Sequence, residues 1–176
     1  VENLLVDADI VYEFAYELVL GSLEAIRQRA AHWRPKQLPA WTFTRDRQGW
    51  HHHHLGDAGW PISDHLELRF EADDPQLVSP FVFWRAEDAR HLIIEAAFSS
   101  GQTRATLFWQ PQSEHHFTPE YSLTFPIRGD GTFHRYEIPL ADHPRYQGTL
   151  VRLRIDPVDQ AEPGSWLKLR RVELTR

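Results

Sequence analysis

Four consecutive histidines, His51 to His54, with His65 further along, are the side chains whose type and spacing come nearest to chemistry in this sequence. In extended chain alternate residues share a face, so His51 and His53 can address one metal ion while His52 and His54 turn away. Zinc asks for three or four ligands and for partners that fix their orientation. Asp57 or His65 would have to complete the set, from a Gly-flanked loop that is poorly organised for it. His51 and His53 are thus the metal candidates, set against a solvated or interface loop. Glu114-His115-His116 and Asp142-His143 also pair imidazoles with carboxylates. General acid–base work needs groups that converge across a cleft, not neighbours along a chain. No G-x-S-x-G, H-E-x-x-H, P-loop or G-x-G-x-x-G pattern occurs. The reading is of a protein that is not an enzyme and has no catalytic residues.

The elements that must position these groups follow from composition and periodicity. A chain of 176 residues suits one domain with an appended segment. Seven Trp and ten Phe suit the space between two packed sheets, where flat rings fill volume. A formal charge of −6 argues against a nucleic-acid partner. The basic runs Arg152 to Arg154 and Lys168 to Arg171 alternate with apolar residues, as solvated strand faces do. The absence of Cys excludes disulfides and thiolate metal sites. The sequence also lacks Met, even at its first position. It is therefore expected to start after processing or inside a longer product, behind a signal peptide, an anchor or more protein. No apolar run is long enough to span a bilayer, which leaves a membrane-associated complex open.

Residues 1–39 are read as an N-terminal unit and residues 40–176 as a β domain. Asp7 and Asp9 precede, and Arg27, Arg29 and Arg34 follow, a stretch with apolar residues at three- and four-residue spacings. The spacing predicts one amphipathic helix of about five turns. Val11, Phe14 and Leu18 lie on its apolar face and Tyr12, Tyr16, Leu20 and Leu23 widen it; Val11, Phe14, Tyr16, Leu18, Leu20 and Leu23 are the partner-docking candidates. That face packs on its own domain or docks on a protein partner. Pro35 and Pro39 end it in a stiff linker.

From Trp41 the period changes to two. Strands are expected around residues 41–44, 65–70, 77–83, 90–98, 104–110, 121–127 and 134–141, with residues 45–61 as loop and Ser99-Ser100-Gly101 as a hairpin turn. The centre is Val151-Arg-Leu-Arg-Ile-Asp-Pro157 followed by Trp166-Leu-Lys-Leu169, read as strand, turn, strand. Val151, Leu153 and Ile155 point one way and Arg152 and Arg154 the other. The inward phase slips after Leu169, which predicts a β-bulge near Arg170 and Arg171. The fold class is all-β, an antiparallel jelly-roll sandwich of about nine strands behind one helix.

Further residues, in order, carry a resemblance: Trp41-Thr-Phe, Gly49-Trp50, Asp64-His-Leu-Glu-Leu, Asp74-Pro-Gln-Leu-Val-Ser-Pro80, Ala105-Thr-Leu-Phe-Trp109, Phe125-Pro-Ile, Asp130-Gly-Thr-Phe-His-Arg-Tyr136 and Leu153-Arg-Ile-Asp-Pro157. The set resembles the galactose-binding-like, carbohydrate-binding-module type of β-sandwich found in bacterial extracytoplasmic proteins. The resemblance implies a non-catalytic module with a glycan partner, outside the cytoplasm, sometimes with one structural calcium ion. Lys168, Arg170 and Arg171 stand in the final strand where an acidic calcium ligand often stands in such modules, so no cofactor is assigned. Sugar binding needs exposed rings that stack on a pyranose. Trp60, Trp84 and Tyr146, in or beside loops, are the ligand-binding candidates, while Trp41, Trp109 and Trp166 are expected in the core. The alternative is a structural or assembly subunit that docks through the helix and loops.

Overall fold

The computed structural model describes residues 11, 13, 15–32 and 37–176. In chain order the elements are α1 (Leu23–His32), β1 (Ala40–Thr42), β2 (His51–His53), β3 (Leu55–Asp57), β4 (Leu66–Phe70), β5 (Gln76–Val78), β6 (Trp84–Arg85), β7 (His91–Ser99), β8 (Arg104–Pro111), β9 (Ser122–Pro126), β10 (His134–Pro139), β11 (Thr149–Asp156) and β12 (Trp166–Thr175). Two antiparallel sheets face each other. The first runs β10-β7-β12-β4-β3, with β1 also on β12; the second runs β2-β5-β11-β8-β9, with β6 also on β11.

Period-two alternation makes the core. Leu66, Leu68, Leu92, Ile94, Leu167, Leu169 and Val172 from the first sheet meet Leu77, Leu107, Trp109, Leu150, Leu153 and Ile155 from the second. Each such side chain contributes about 1.5 to 3 kcal/mol by leaving water. The bulge foreseen in the last strand is present. The register of β12 on β7 shifts between Leu169 and Arg171, which returns Val172 and Leu174 to the inside.

Several expectations change. The two strands read as one ribbon are not paired: β11 and β12 are the middle strands of opposite sheets. A second register shift, between Leu150 and Arg152, puts Leu150 in the core in place of Val151. Ser99-Ser100-Gly101 is likewise a crossing between sheets and not a hairpin, because β7 and β8 belong to different sheets. Residues 45–61 are not all loop. Trp50 and Leu55 are buried and anchor β2 and β3. Trp166 faces outward, under the Lys168 ammonium 4.9 Å from its ring, because Leu167 and Leu169 take the inward phase.

The helix is shorter than five turns. Gly21 disfavours helix, and the Ser22 hydroxyl accepts the Ala25 N–H at 3.3 Å, so the helix begins at Leu23. Arg29 Nε donates to Glu17 at 2.8 Å, which lays residues 15–20 back along α1. The core contains no described residue before Leu38. Val11, Tyr16, Leu18, Leu20 and Leu23 are exposed; Phe14 lies outside the described residues.

Candidate functional site

Two of the three expected ligand-binding aromatics are core residues. Trp84 pairs with Leu150 in the sheet register and points inward, and its Nε1 donates to Tyr146 Oη at 2.9 Å. Tyr146 also meets the Trp109 ring edge-on at 5.4 Å. Burial pushes the Tyr146 phenol well above its ordinary range, against the bond from Trp84. At 5% and 6% exposure neither ring has a face for a sugar. Trp60, on the β3–β4 connection, is 42% exposed and does.

His51 and His53 share the outer face of the second sheet, opposite Val78 and Gln76, with ring centroids 5.6 Å apart. His52 turns inward, 3.6 Å from Asp57 Oδ2, and His54 Nδ1 lies 2.6 Å from the Asp73 carbonyl oxygen. Asp57 does not reach the His51–His53 side. It receives Arg47 Nε at 2.5 Å and the Gly59 N–H at 2.6 Å. Burial pushes the Asp57 carboxyl up, but the nearby His52 imidazole and these bonds outweigh it and hold the group far below the usual carboxylate range. Among the described residues no three His, Asp or Glu side chains converge as a metal site. Lys168, Arg170 and Arg171 are each ion-paired, with Glu67, with Asp64 and Glu95, and with Glu173. His143 is structural: it accepts the Arg145 N–H at Nδ1 and meets the Trp109 ring at 4.8 Å.

A different surface brings polar and aromatic groups together. Inward phase for Leu107, Trp109, Leu153 and Ile155 leaves Thr106, Phe108, Gln110, Arg152, Arg154 and Asp156 on the outer face of the second sheet. The strand that continues β5 past Pro80 stays tied to β11 through Ser79 N–H to Leu153 O and Val82 N–H to Val151 O, both 2.9 Å. Val82 and Trp84 pack inward, so Phe81 and Phe83 project from the same outer face, 60% and 53% exposed.

Arg152 is the centre of this face. Its guanidinium lies 4.3 Å from the Phe81 centroid and 5.9 Å from that of Phe117, geometries of cation–π contact. It also donates to the Ser79 carbonyl and to His51 Nε2, each at 3.3 Å. Two residues on, at the next position of the same face, Arg154 stacks on Phe108 at 4.5 Å and forks onto Asp156 at 2.6 and 2.5 Å. Burial pushes the Asp156 carboxyl up, against the pull of Arg154. Phe117 meets Phe108 edge-on at 6.5 Å. The face is therefore a row of rings and guanidinium groups, edged by His51, His53 and Gln76. The sequence signal was the odd-numbered pair Phe81 and Phe83 flanked by inward-facing Val82 and Trp84, with Arg152 and Arg154 alternating on the neighbouring strand. It is masked because alternating Arg reads as a solvated face and Trp84 draws the eye as the larger ring.

No family model matches the sequence, and no curated protein sequence matches it. In fold the chain resembles carbohydrate-binding β-sandwich modules. Among similar solved structures is CBM86, a low-affinity xylan-binding module from Roseburia intestinalis. It is 15% identical, with 71% of this chain and 93% of that one covered and a TM-score of 0.43. The second N-terminal cellulose-binding domain of Cellulomonas fimi β-1,4-glucanase C is 11% identical, with 80% and 95% covered and a TM-score of 0.48. The Bacillus subtilis arabinoxylan arabinofuranohydrolase of glycoside hydrolase family 43 is 11% identical, with 80% of this chain and 27% of that one covered and a TM-score of 0.48. The matches are mostly to such modules, and some are to parts of enzymes. The likeness is of fold alone.

Proposed function

We propose that this chain is a non-catalytic interaction module that holds a glycan on the outer face of its second sheet. The observation that carries the reading is the pair Phe81 and Phe83, both exposed, on a face where Arg152 lies against Phe81 among Phe108, Phe117 and polar side chains. Aromatic faces take the C–H face of a pyranose, and planar donors and acceptors around them take its hydroxyls. Gln76, Thr106 and His53 stand on that face to do so. On this reading the working compartment is outside the cytoplasm, in the periplasm or at the cell surface.

Affinity electrophoresis in gels containing soluble xylan or hydroxyethylcellulose tests the reading. The wild type should be retarded in at least one gel. Phe81→Ala with Phe83→Ala should weaken that retardation about tenfold, the effect of losing roughly 1.4 kcal/mol of stacking, with an unchanged melting temperature. A wild type that is retarded in neither gel, and that no glycan stabilises against heat, refutes it.

The second reading, an assembly subunit of a larger, membrane-associated complex, is favoured by one observation. Val11, Tyr16, Leu18 and Leu20 each present a large, strongly exposed apolar side chain to solvent ahead of α1, the kind of side chain from which contact surfaces are built. No helix among the described residues is long and apolar enough to cross a membrane. A monomer by light scattering that purifies without a partner would count against this reading.

A further inference from the structure

We infer that Gln110 is a positioning residue for this face, holding the Phe117 wall of the Arg152 clamp in place; the inference rests on the glycan reading for its effect on binding. The two walls are fixed by different means. Phe81 rides on backbone bonded directly to β11 on either side of it. Phe117 is carried by the connection after β8, which folds back across the outer face of its own strand to reach Phe108 and Arg152. The start of that connection is bonded to the sandwich by Gln112 N–H to Thr149 O at 2.9 Å, and Glu114 N–H closes a turn onto Pro111 O at 3.0 Å. Beyond that, Gln110 supplies a side-chain tie from the face to this connection. It is 4% exposed, lies opposite Arg152 in the register, and its Nε2 donates to the Glu114 carbonyl at 2.7 Å. A buried amide donor aimed at a loop carbonyl fixes the loop's height above the sheet, because leaving either group unmet is costly. Three residues past Glu114 the chain reaches Phe117, so its ring stands where that bond sets it.

Gln110 touches no ligand in this scheme; it acts through Phe117. The test uses the full chain with Gln110→Leu and Gln110→Glu, each alone and combined with Phe117→Ala. Leu removes the donor and Glu places a repelling oxygen against the Glu114 carbonyl, so one variant serves if the other does not fold. Amide hydrogen exchange over residues 112–118 should quicken about tenfold or more while exchange in β11 stays near wild type, a split that general destabilisation does not give. In the xylan or hydroxyethylcellulose gel that retards the wild type, Gln110→Leu and Phe117→Ala should each weaken binding about tenfold, and the double variant should be no worse than either single one, since coupled residues are not additive. Unchanged exchange over residues 112–118 overturns the inference, as do fully additive binding losses. A wild type that binds neither polysaccharide, with exchange still quickened, removes the glycan reading and leaves the positioning role standing.

Discussion

Replacing Asp57 with Asn should destabilise the sandwich in a pH-dependent way. Asp57 closes the edge where β2 and β3 leave for different sheets, and it neutralises Arg47 in a pair whose side chains are only 13% and 9% exposed. Breaking a buried pair costs about 3 to 5 kcal/mol; slight exposure here puts the figure near the low end, about 3 kcal/mol at pH 7. For a chain of this size that is a fall in melting temperature of roughly 6 to 12 °C. The sign follows from the carboxyl's depressed pKa, which ordinarily sits at 3.8. Its contribution is complete above the unfolded value and drains away as pH falls toward the folded one. Each pH unit below 3.8 removes about 1.4 kcal/mol. The gap between wild type and Asp57→Asn should therefore narrow by about 1 kcal/mol between pH 5 and pH 3. Urea unfolding at both pH values measures it. A gap under 1 kcal/mol at pH 7, or one that does not narrow on acidification, would refute the reasoning.

Two further substitutions test the core and a sheet crossing. Tyr146→Phe leaves the buried Trp84 Nε1 without its acceptor and should cost about 1 to 2 kcal/mol in urea unfolding, with glycan binding untouched because neither ring reaches the surface. Gly129→Ala would set a Cβ 1.8 Å from the Ser100 carbonyl oxygen. The two backbones must part, so a loss of at least 2 kcal/mol, about 4 to 8 °C in melting temperature, is expected.

The sandwich was legible because its strands alternate over long stretches. His65 to Phe70, Arg90 to Phe98 and His134 to Leu140 each declare a face without help from neighbours. What was not legible depends on pairing. Val151 and Leu150 exchange roles through a shift that only the β8 partner imposes. Trp84 looked like a loop aromatic until register with Leu150 turned it inward and left Phe83 outside. Tyr146 sits in a loop by sequence, yet that loop tucks under β8 to satisfy Trp84. The alternation of His51 and His53 was foreseen. The guanidinium that meets His51, about a hundred residues away, has no signature in one dimension. The N-terminal helix was overestimated because its apolar spacing continues through Gly21 and Ser22, where backbone chemistry interrupts it.

The middle strand of each layer is supplied last. Until the ribosome has delivered residues 149–175, β10 and β7 on one side and β8 and β9 on the other are margins without a centre. The sandwich therefore gains little from folding before residues 149–175 emerge. A nascent product stalled just short of Thr149 should be as protease-sensitive as an unstructured one, and full protection should arrive in a single late step.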